Sequence, residues 1–327
     1  MKLYWYTLIL VLSFSARAQV FNTSEPLAHT YSIVAIDPET GDMGVAVQSH
    51  WFSVGTLVSW GEAGVGVIAT QSFVNPAFGP NGLELLKMGY SAQETLDFLI
   101  ENDEGRAVRQ VAILDASGNV ATHTGSNCIQ FAGDIQGDGY SVQANMMLNE
   151  RVWPEMDQAF RSSNELPLAE RLLVALEAAE AAGGDIRGKQ SAAILIVSAN
   201  PTGMTWVDRK MDLRIADHED PIGELRRLIT IHKAYAHMNQ GDQEMEHGNI
   251  DGALQQYGAA ETLYDANVEM PYWTAISLLN AGRIEEGLAK IKSVIETDQN
   301  WKALTLRIVE NGVLKVDEQV LEQIRQL

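Results

Sequence analysis

A threonine at the start of a predicted strand is the residue in this chain best placed to do chemistry. Thr30 opens an apolar stretch that turns at 37–42 and returns as a second predicted strand over 43–49. A hydroxyl group on the first residue of a mature chain can act as a nucleophile, because the free α-amine beside it can accept the hydroxyl proton. If cleavage frees Thr30, the pattern predicts a hydrolase. If Thr30 stays internal, it is an ordinary β-branched residue at the edge of a sheet.

Three further polar residues are our candidates for substrate binding. Ser32 lies on the same face of the strand as Thr30, since side chains alternate along a strand. His50 follows the second predicted strand, and Asn145 ends a later one. Each also has a structural interpretation, as a packed or hydrogen-bonded residue. The acidic run 217–220 has no further His or Cys partner, and adjacent side chains converge poorly on one ion. We therefore predict neither a metal nor a cofactor.

The first 18 residues have the pattern of a secretory signal peptide. Lys2 precedes an apolar stretch over 3–14, and the small-residue pattern 16–18 is typical of a cleavage site. We therefore predict an exported protein, periplasmic or extracellular, with residues 19–29 as a flexible leader. A retained N-terminal anchor is the alternative. No later segment approaches the roughly 18 apolar residues that a membrane span requires, so we predict no membrane span in the mature form.

The amino-acid composition limits which partners the protein is expected to bind and how its fold can be stabilised. The formal net charge is −20, which argues against nucleic acid and anionic lipid as partners, since neither would be attracted. Cys128 is the single cysteine, so no intramolecular disulfide can form despite the predicted export. The fold must therefore be held by its core, and a hydrophobic fraction of 46% is ordinary for a globular chain.

The order of predicted elements indicates an α+β fold. Strands are predicted at 31–37, 43–49, 64–72, 110–115, 119–124, 127–132, 139–145 and 191–198, with helices beginning near 83 and 92 and lying near 150–162 and 167–182. Hairpin connections favour antiparallel pairing, and the helices are grouped between blocks of strands. A four-layer αββα sandwich agrees with this order. A doubly wound Rossmann sheet does not, because helices fail to alternate with single strands.

The last third of the sequence contains an internal repeat of paired helices. The pattern 248–254 recurs 34 positions later as 282–288, within a repeat region over 234–301. This period resembles that of tetratricopeptide repeats, in which small residues let two helices approach closely. A plain helical bundle is the alternative. We expect the repeats to stack on a preceding helix over 221–240, or on the first domain, and to offer a surface for a protein partner.

A series of short segments over 30–228 occurs in a characteristic order along the chain: 30–35, 37–41, 44–49, 63–66, 69–71, 75–76, 78–80, 82–83, 183–185, 187–193, 212–214, 217–218 and 224–228. In these segments the chain resembles DUF1028, a family of bacterial and archaeal proteins of unknown function that is placed with the N-terminal nucleophile (Ntn) hydrolases. The resemblance predicts a DUF1028 domain over 30–218 and a helical tetratricopeptide-like domain over 219–327.

The superfamily resemblance implies an αββα sandwich in which Thr30 attacks a carbonyl carbon, usually that of an amide. Freeing Thr30 would require a second cut, between His29 and Thr30, by the chain itself or by another protease. Proteasome-like members of the superfamily place a lysine near the nucleophile. This sequence has no lysine between Lys2 and Lys87, so His50 is the candidate substitute.

Two functions from different classes follow from the sequence. The first is an exported amidohydrolase that cleaves a small amide or peptide bond with Thr30 as nucleophile. The second is a non-catalytic envelope binding or scaffold protein that keeps the Ntn fold and binds a protein partner through its helical repeats. A homodimer is compatible with a sandwich of this kind.

Overall fold

The computed structural model describes residues 27–327. The predicted signal peptide (1–18) and the first part of the predicted leader (19–26) lie outside the described residues. In the described chain the strands are β1 (Leu27–Ala28), β2 (Thr30–Ile36), β3 (Met43–Ser49), β4 (Ser59–Glu62), β5 (Gly66–Phe73), β6 (Arg109–Asp115), β7 (Val120–Thr124), β8 (Gly133–Gly137), β9 (Tyr140–Ala144), β10 (Ser191–Val197) and β11 (Arg209–Ile215). The helices are α1 (Phe78–Lys87), α2 (Ala92–Glu101), α3 (Val152–Arg161), α4 (Leu168–Ala181), α5 (Thr205–Asp208), α6 (Pro221–Glu246), α7 (Ile250–Leu263), α8 (Glu269–Asn280), α9 (Ile284–Thr297), α10 (Asn300–Glu310) and α11 (Glu318–Gln326).

The strands of the described chain form two antiparallel sheets. The first sheet has the order β1-β5-β6-β7, and β4 also pairs with β5. The second sheet has the order β11-β10-β3-β2-β9-β8. Its centre is the β2–β3 hairpin, whose turn contains Gly41 with a φ of +73°, a conformation that favours glycine. The predicted antiparallel hairpins are thus confirmed.

The two sheets pack face to face with helices on both outer faces. Alternation along β2 places Val34 between the sheets, where it shares a hydrophobic core with Val67 and Leu114 from the first sheet. The outer face of the first sheet is covered by α1 and α2, and that of the second sheet by α3, α4 and the first part of α6. This is the predicted four-layer αββα sandwich, followed by an all-α region.

The helix ends of the sandwich follow the sequence signals closely. Ser91 caps α2 and accepts from the backbone N–H of Glu94, whose side chain in turn accepts from the backbone of Ser91. At the end of α4, Gly183 and Gly184 both have positive φ angles, which terminates the helix. These local interactions explain why both helices were predicted near their observed positions.

Four strand assignments differ from the predictions. The predicted strand 127–132 is wrong, because Phe131 has a φ of +57° and the segment turns instead of extending; the strand begins only after it, as β8. The strands β1, β4 and β11 were not predicted. β11 is an edge strand that alternates charged and apolar residues, and its apolar positions Met211 and Ile215 pack under α6.

In the helical region α6 packs against α7 and α8 packs against α9, and α6 links this region to the sandwich. α7 and α9 begin at Ile250 and Ile284, 34 residues apart, which agrees with the predicted repeat. The first half of α6 contributes Leu225 to the core over the second sheet, and the second half contributes Met238 to a core shared with α7. Among residues 27–327, every helix is too short or too polar to cross a lipid bilayer.

Candidate functional site

Thr30 lies between the two sheets at one end of the sandwich. It is the first residue of β2 and pairs with Ser49, the last residue of β3. Its side chain is fully buried, and Oγ1 donates a hydrogen bond to the carbonyl oxygen of Ala28 at 2.7 Å. The Thr30 carbonyl oxygen accepts from the backbone N–H of Asn145 at 3.0 Å and from the amide of Gln71 at 3.2 Å. The nucleophile candidate is therefore held on both sides.

The residues just before Thr30 are part of the fold. Leu27 and Ala28 form β1 and pair with Phe73 and Ser72 of β5. His29 is 1% exposed, and its ring meets the Phe73 ring edge-on with centroids 5.4 Å apart. The expectation of a flexible leader is thus wrong for residues 27–29, because strand pairing holds Leu27 and Ala28, and burial holds Ala28 and His29, beside the candidate nucleophile.

The carbonyl group of His29 belongs to the peptide bond that would have to be cut, and two side chains donate to it. Ser49 Oγ donates to this oxygen at 2.5 Å and Arg187 Nη2 at 2.9 Å. Arg187 is held in turn by Asp185, with Nε to Oδ1 at 3.0 Å and Nη2 to Oδ2 at 2.7 Å. The Asp185 side chain is fully buried, so this ion pair fixes the guanidinium against the His29 carbonyl.

A network of buried amide side chains fills the space between the sheets next to Thr30. Asn145 Nδ2 donates to Gln110 Oε1 at 2.9 Å, and Gln71 Nε2 donates to the same oxygen at 2.7 Å. Asn145 Oδ1 therefore faces the other way and lies 2.8 Å from Nδ1 of His29. Since Oδ1 can only accept, the hydrogen bond fixes the His29 tautomer with its proton on Nδ1.

Ser32 belongs to the same network. Its hydroxyl donates to Gln71 Oε1 at 2.6 Å and accepts from Gln143 Nε2 at 2.6 Å. Both donor and acceptor capacity of Ser32 are thus used within the protein. Ser32 lies two residues after Thr30 in β2, and the two side chains share one face of the strand, as expected from the sequence.

His50 lies at the rim of this region, with its ring engaged elsewhere. Its Nδ1 lies 3.3 Å from the carbonyl oxygen of Lys189, and its backbone N–H donates to Asp185 at 3.3 Å. The cationic group that contacts the residues next to Thr30 is instead Arg187. His50 thus meets the site through its backbone and through Asp185.

Burial determines the charge of His29. Removal of the ring from water lowers the pKa of the His29 imidazole; the hydrogen bond to Asn145 opposes this shift, as does the charge of Asp185, while Arg187 reinforces it. In the described part of the chain no group pairs with Nε2 of His29. The ring is therefore a neutral imidazole whose only hydrogen-bonded nitrogen is Nδ1.

Two non-glycine residues with left-handed backbone conformations flank the site. Ser72, which pairs with Ala28, has a φ of +74°, and Met146, which follows Asn145, has a φ of +60°. Such conformations cost energy and tend to occur at functional sites. Within residues 27–327 no group of three or more His, Cys, Asp or Glu side chains is arranged to hold a metal ion.

The structure brings together some of the predicted site residues and adds others. Thr30, Ser32 and Asn145 share one buried network. Ser49, Gln71 and Gln110 of this network were not among the predicted site residues, and neither were Asp185 and Arg187, which form the ion pair beside it. The available signal was the placement of glutamines inside otherwise apolar strands, because a buried amide requires partners.

The N-terminal part of the chain is similar to known proteins. A family model described as "Family of unknown function (DUF1028)" matches residues 30–225, beginning at Thr30. Among solved structures, protein SPO2555 from Silicibacter pomeroyi, described with the same family model, is 34% identical with a TM-score of 0.56, over 62% of this chain and 85% of that chain. Anbu (ancestral beta-subunit) from Yersinia bercovieri is 14% identical with a TM-score of 0.31, over 61% of this chain and 92% of that chain. The comparison with curated proteins gave no match.

Proposed function

This chain belongs to the DUF1028 family, and from that premise we propose that it is an exported amidohydrolase of the N-terminal nucleophile type, activated by cleavage of the bond between His29 and Thr30. Its substrate would be a small amide or a peptide. Thr30 is the nucleophile of this proposal, and Ser32 and Asn145 belong to the network that holds it.

The observation that carries the proposal is the polarised carbonyl group of His29. A hydroxyl and a guanidinium, from Ser49 and Arg187, converge on one peptide oxygen immediately before the candidate nucleophile. Donors aimed at a carbonyl oxygen stabilise the negative charge that forms there when the carbon is attacked. A purely structural sheet edge has no need of two side-chain donors, one of them cationic, on this particular oxygen.

The self-cleavage step balances without any added reagent except water. Oγ1 of Thr30 adds to the carbonyl carbon of His29, and Ser49 and Arg187 hold the resulting oxyanion. The carbon–nitrogen bond then breaks and the hydroxyl proton passes to the Thr30 nitrogen, which leaves an ester between the two residues and a free amine. Water hydrolyses the ester, giving a carboxylic acid at residue 29 and restoring the hydroxyl group.

The freed site would then act on a substrate with the same groups. The α-amine of Thr30, with an ordinary pKa of about 8, would accept the hydroxyl proton as the general base. The two donors that now bind the His29 oxygen would bind the substrate carbonyl oxygen. In the uncut chain the Thr30 side chain is fully buried, so removal of the preceding segment is the step that would admit substrate.

The test is the N-terminus of the purified full-length protein, read by intact mass and end-sequencing. We expect the wild-type protein to begin at Thr30, and the Thr30→Ala variant to keep His29. Thr56→Ala, in an exposed turn, is the matched control and should be cut like the wild type. A β-lactone probe, which esterifies hydroxyl nucleophiles, should label Thr30 only in the cut protein.

The opposite result favours the second function. A wild-type protein that keeps His29, is not labelled by the β-lactone and is active in its biological setting would be a non-catalytic envelope binding or scaffold protein. In that case the helical repeats would bind its protein partner, and β1 would be a permanent strand of the first sheet.

A further inference from the structure

The ester formed during self-cleavage is chemically the same as the ester formed during turnover. In both, an acyl group is attached to Oγ1 of Thr30 and the Thr30 amine is free. The acyl group of the first ester is the segment that ends in His29. The surroundings of residues 27–29 are therefore the surroundings expected for the acyl part of a substrate. This step rests on the proposed function.

The pocket around the His29 side chain is built for a planar ring with one hydrogen-bond donor. Asn145 Oδ1 accepts from the ring, and this oxygen is fixed in place because Asn145 Nδ2 is bound to Gln110. Phe73 closes the other side of the pocket with an edge-on contact. An aliphatic side chain in this place would leave the buried Asn145 oxygen without a partner, which costs about 1–3 kcal/mol.

The charged groups around the pocket also favour a neutral side chain over a cationic one. Arg187 lies against the His29 carbonyl group, so a lysine or arginine side chain in the pocket would meet a like charge. The Asp185 carboxylate is already paired with that guanidinium and is fully buried. A neutral imidazole fits these surroundings better than a permanent cation does.

The residues before His29 occupy a strand position. Leu27 and Ala28 pair antiparallel with Phe73 and Ser72, at the edge of β5. The end of β5 is itself held in place, because Arg109 donates to the Phe73 carbonyl oxygen at 2.6 Å and is paired with Asp103. When 27–29 depart, a fixed strand edge is left beside Thr30, and such an edge binds an extended peptide by adding it as a strand.

We propose that the freed site hydrolyses extended peptides at the carbonyl group of a histidine residue. The histidine ring would occupy the pocket formed by Asn145 and Phe73. The two preceding residues of the substrate would pair with β5, and Ser49 and Arg187 would hold the carbonyl oxygen. The products would be a peptide with a C-terminal histidine and the released amine.

The test uses the full-length protein after it has lost its leader, with a set of fluorogenic peptides. Each peptide is acetyl-Leu-Ala-X joined to aminomethylcoumarin, where X is varied over the amino acids. We expect kcat/KM for X = His to exceed that for X = Leu or X = Ala by about 10- to 100-fold, the ratio that one unpaired buried acceptor gives.

A variant of the pocket provides the second readout. In Asn145→Leu the ratio of kcat/KM for X = His to that for X = Phe should fall about 10-fold or more, because the ring loses its acceptor. Using a ratio within one variant removes the effect of any general damage to the site. Asn149→Leu, a half-buried asparagine outside the network, is the matched control and should keep the wild-type ratio.

The outcomes separate this inference from the proposed function. Turnover with no preference for histidine would overturn the inference and leave the hydrolase intact. Labelling of Thr30 by the β-lactone without turnover of any histidyl peptide would do the same. No labelling, no turnover and a retained His29 would overturn both.

Discussion

The buried polar residues beside Thr30 act as a unit because each fixes the next. Gln71 and Asn145 both donate to Gln110, and this leaves the Asn145 oxygen with a single orientation toward His29. A buried amide network with all its partners in place rigidifies a site, whereas one missing partner is costly. In the described chain Thr30 therefore lies in a preorganised environment.

The pH dependence of stability follows from the burial of His29. In the folded uncut protein the pKa of His29 is lowered, chiefly by burial, whereas the unfolded chain has the ordinary value of about 6.5. The unfolded state therefore binds the proton first as the pH falls. The stability that neutral His29 contributes is fully present above pH ~6.5 and is lost progressively as the pH falls from there toward the lowered pKa.

The measurement compares urea midpoints at pH 7.5 and pH 5.5 in the Thr30→Ala background, which keeps the segment in place. We expect the loss of stability on acidification to be smaller in Thr30→Ala with His29→Asn than in Thr30→Ala alone. Thr30→Ala with His247→Asn, at an exposed position, should lose as much as the parent. Equal losses in all three proteins would contradict the assignment of this pH dependence to His29.

At the scale of elements, two glycines in helices differ in their surroundings. One is needed for close helix packing, and the other affects only the intrinsic stability of its helix. A Cβ atom at Gly241 in α6 would lie 2.4 Å from Cε1 of Tyr257 in α7. A Cβ atom at Gly258, also in α7, would meet nothing within 4 Å. The first glycine thus allows the close approach of α6 and α7.

These two positions give opposite predictions for the same substitution. Gly241→Ala should lower the free energy of unfolding by about 1–3 kcal/mol, because the helices must separate or Tyr257 must move. Gly258→Ala should raise it by about 0.5–1 kcal/mol, because alanine favours the helix and has open space. Urea denaturation followed by far-UV circular dichroism measures both, and equal effects at the two positions would show that packing is not the cause.

Local sequence patterns predicted the helices and strands well. They predicted the site only in part, because the site depends on contacts between segments that are distant in sequence. Strand alternation placed Thr30 and Ser32 on one face, and the end of a strand gave Asn145. Arg187 and Gln71 could not be assigned to the site from local patterns. Arg187 binds the carbonyl oxygen of His29, which is 158 residues away in the sequence, and Gln71 binds that of Thr30, which is 41 residues away. Such contacts depend on the register of strands that are distant in sequence, which periodicity does not encode.

The strand pairing of the residues just before Thr30 also could not be predicted from local sequence patterns. Residues 27–29 lack a periodic pattern of their own, and their strand exists only because β5 offers an edge to pair with. Two residues of strand are too few to be recognised by alternation. The segment directly before Thr30 is therefore the part of the described chain that the sequence predicted least well.

At the scale of the whole molecule, α6 connects two hydrophobic cores. The helix runs without interruption over Pro221–Glu246. Leu225 is fully buried over the second sheet, and Met238 lies in the core shared with α7. The predicted boundary between a domain over 30–218 and one over 219–327 therefore falls just before a helix that serves both. The family match, which ends at residue 225, stops within this helix.

A single substitution in α6 should consequently lower the stability of both hydrophobic cores. Leu225→Ala removes a fully buried side chain from the core over the second sheet and should cost about 2–5 kcal/mol of unfolding free energy. Because the same helix continues into the pair with α7, hydrogen exchange should quicken in peptides from α7 as well as in those from β10. Leu166→Ala, at a position that is 42% exposed, is the matched control and should change the unfolding free energy by no more than about 0.5 kcal/mol. Faster exchange confined to β10 would mean that the sandwich and the helical region unfold separately, and α6 would then be only a tether between them.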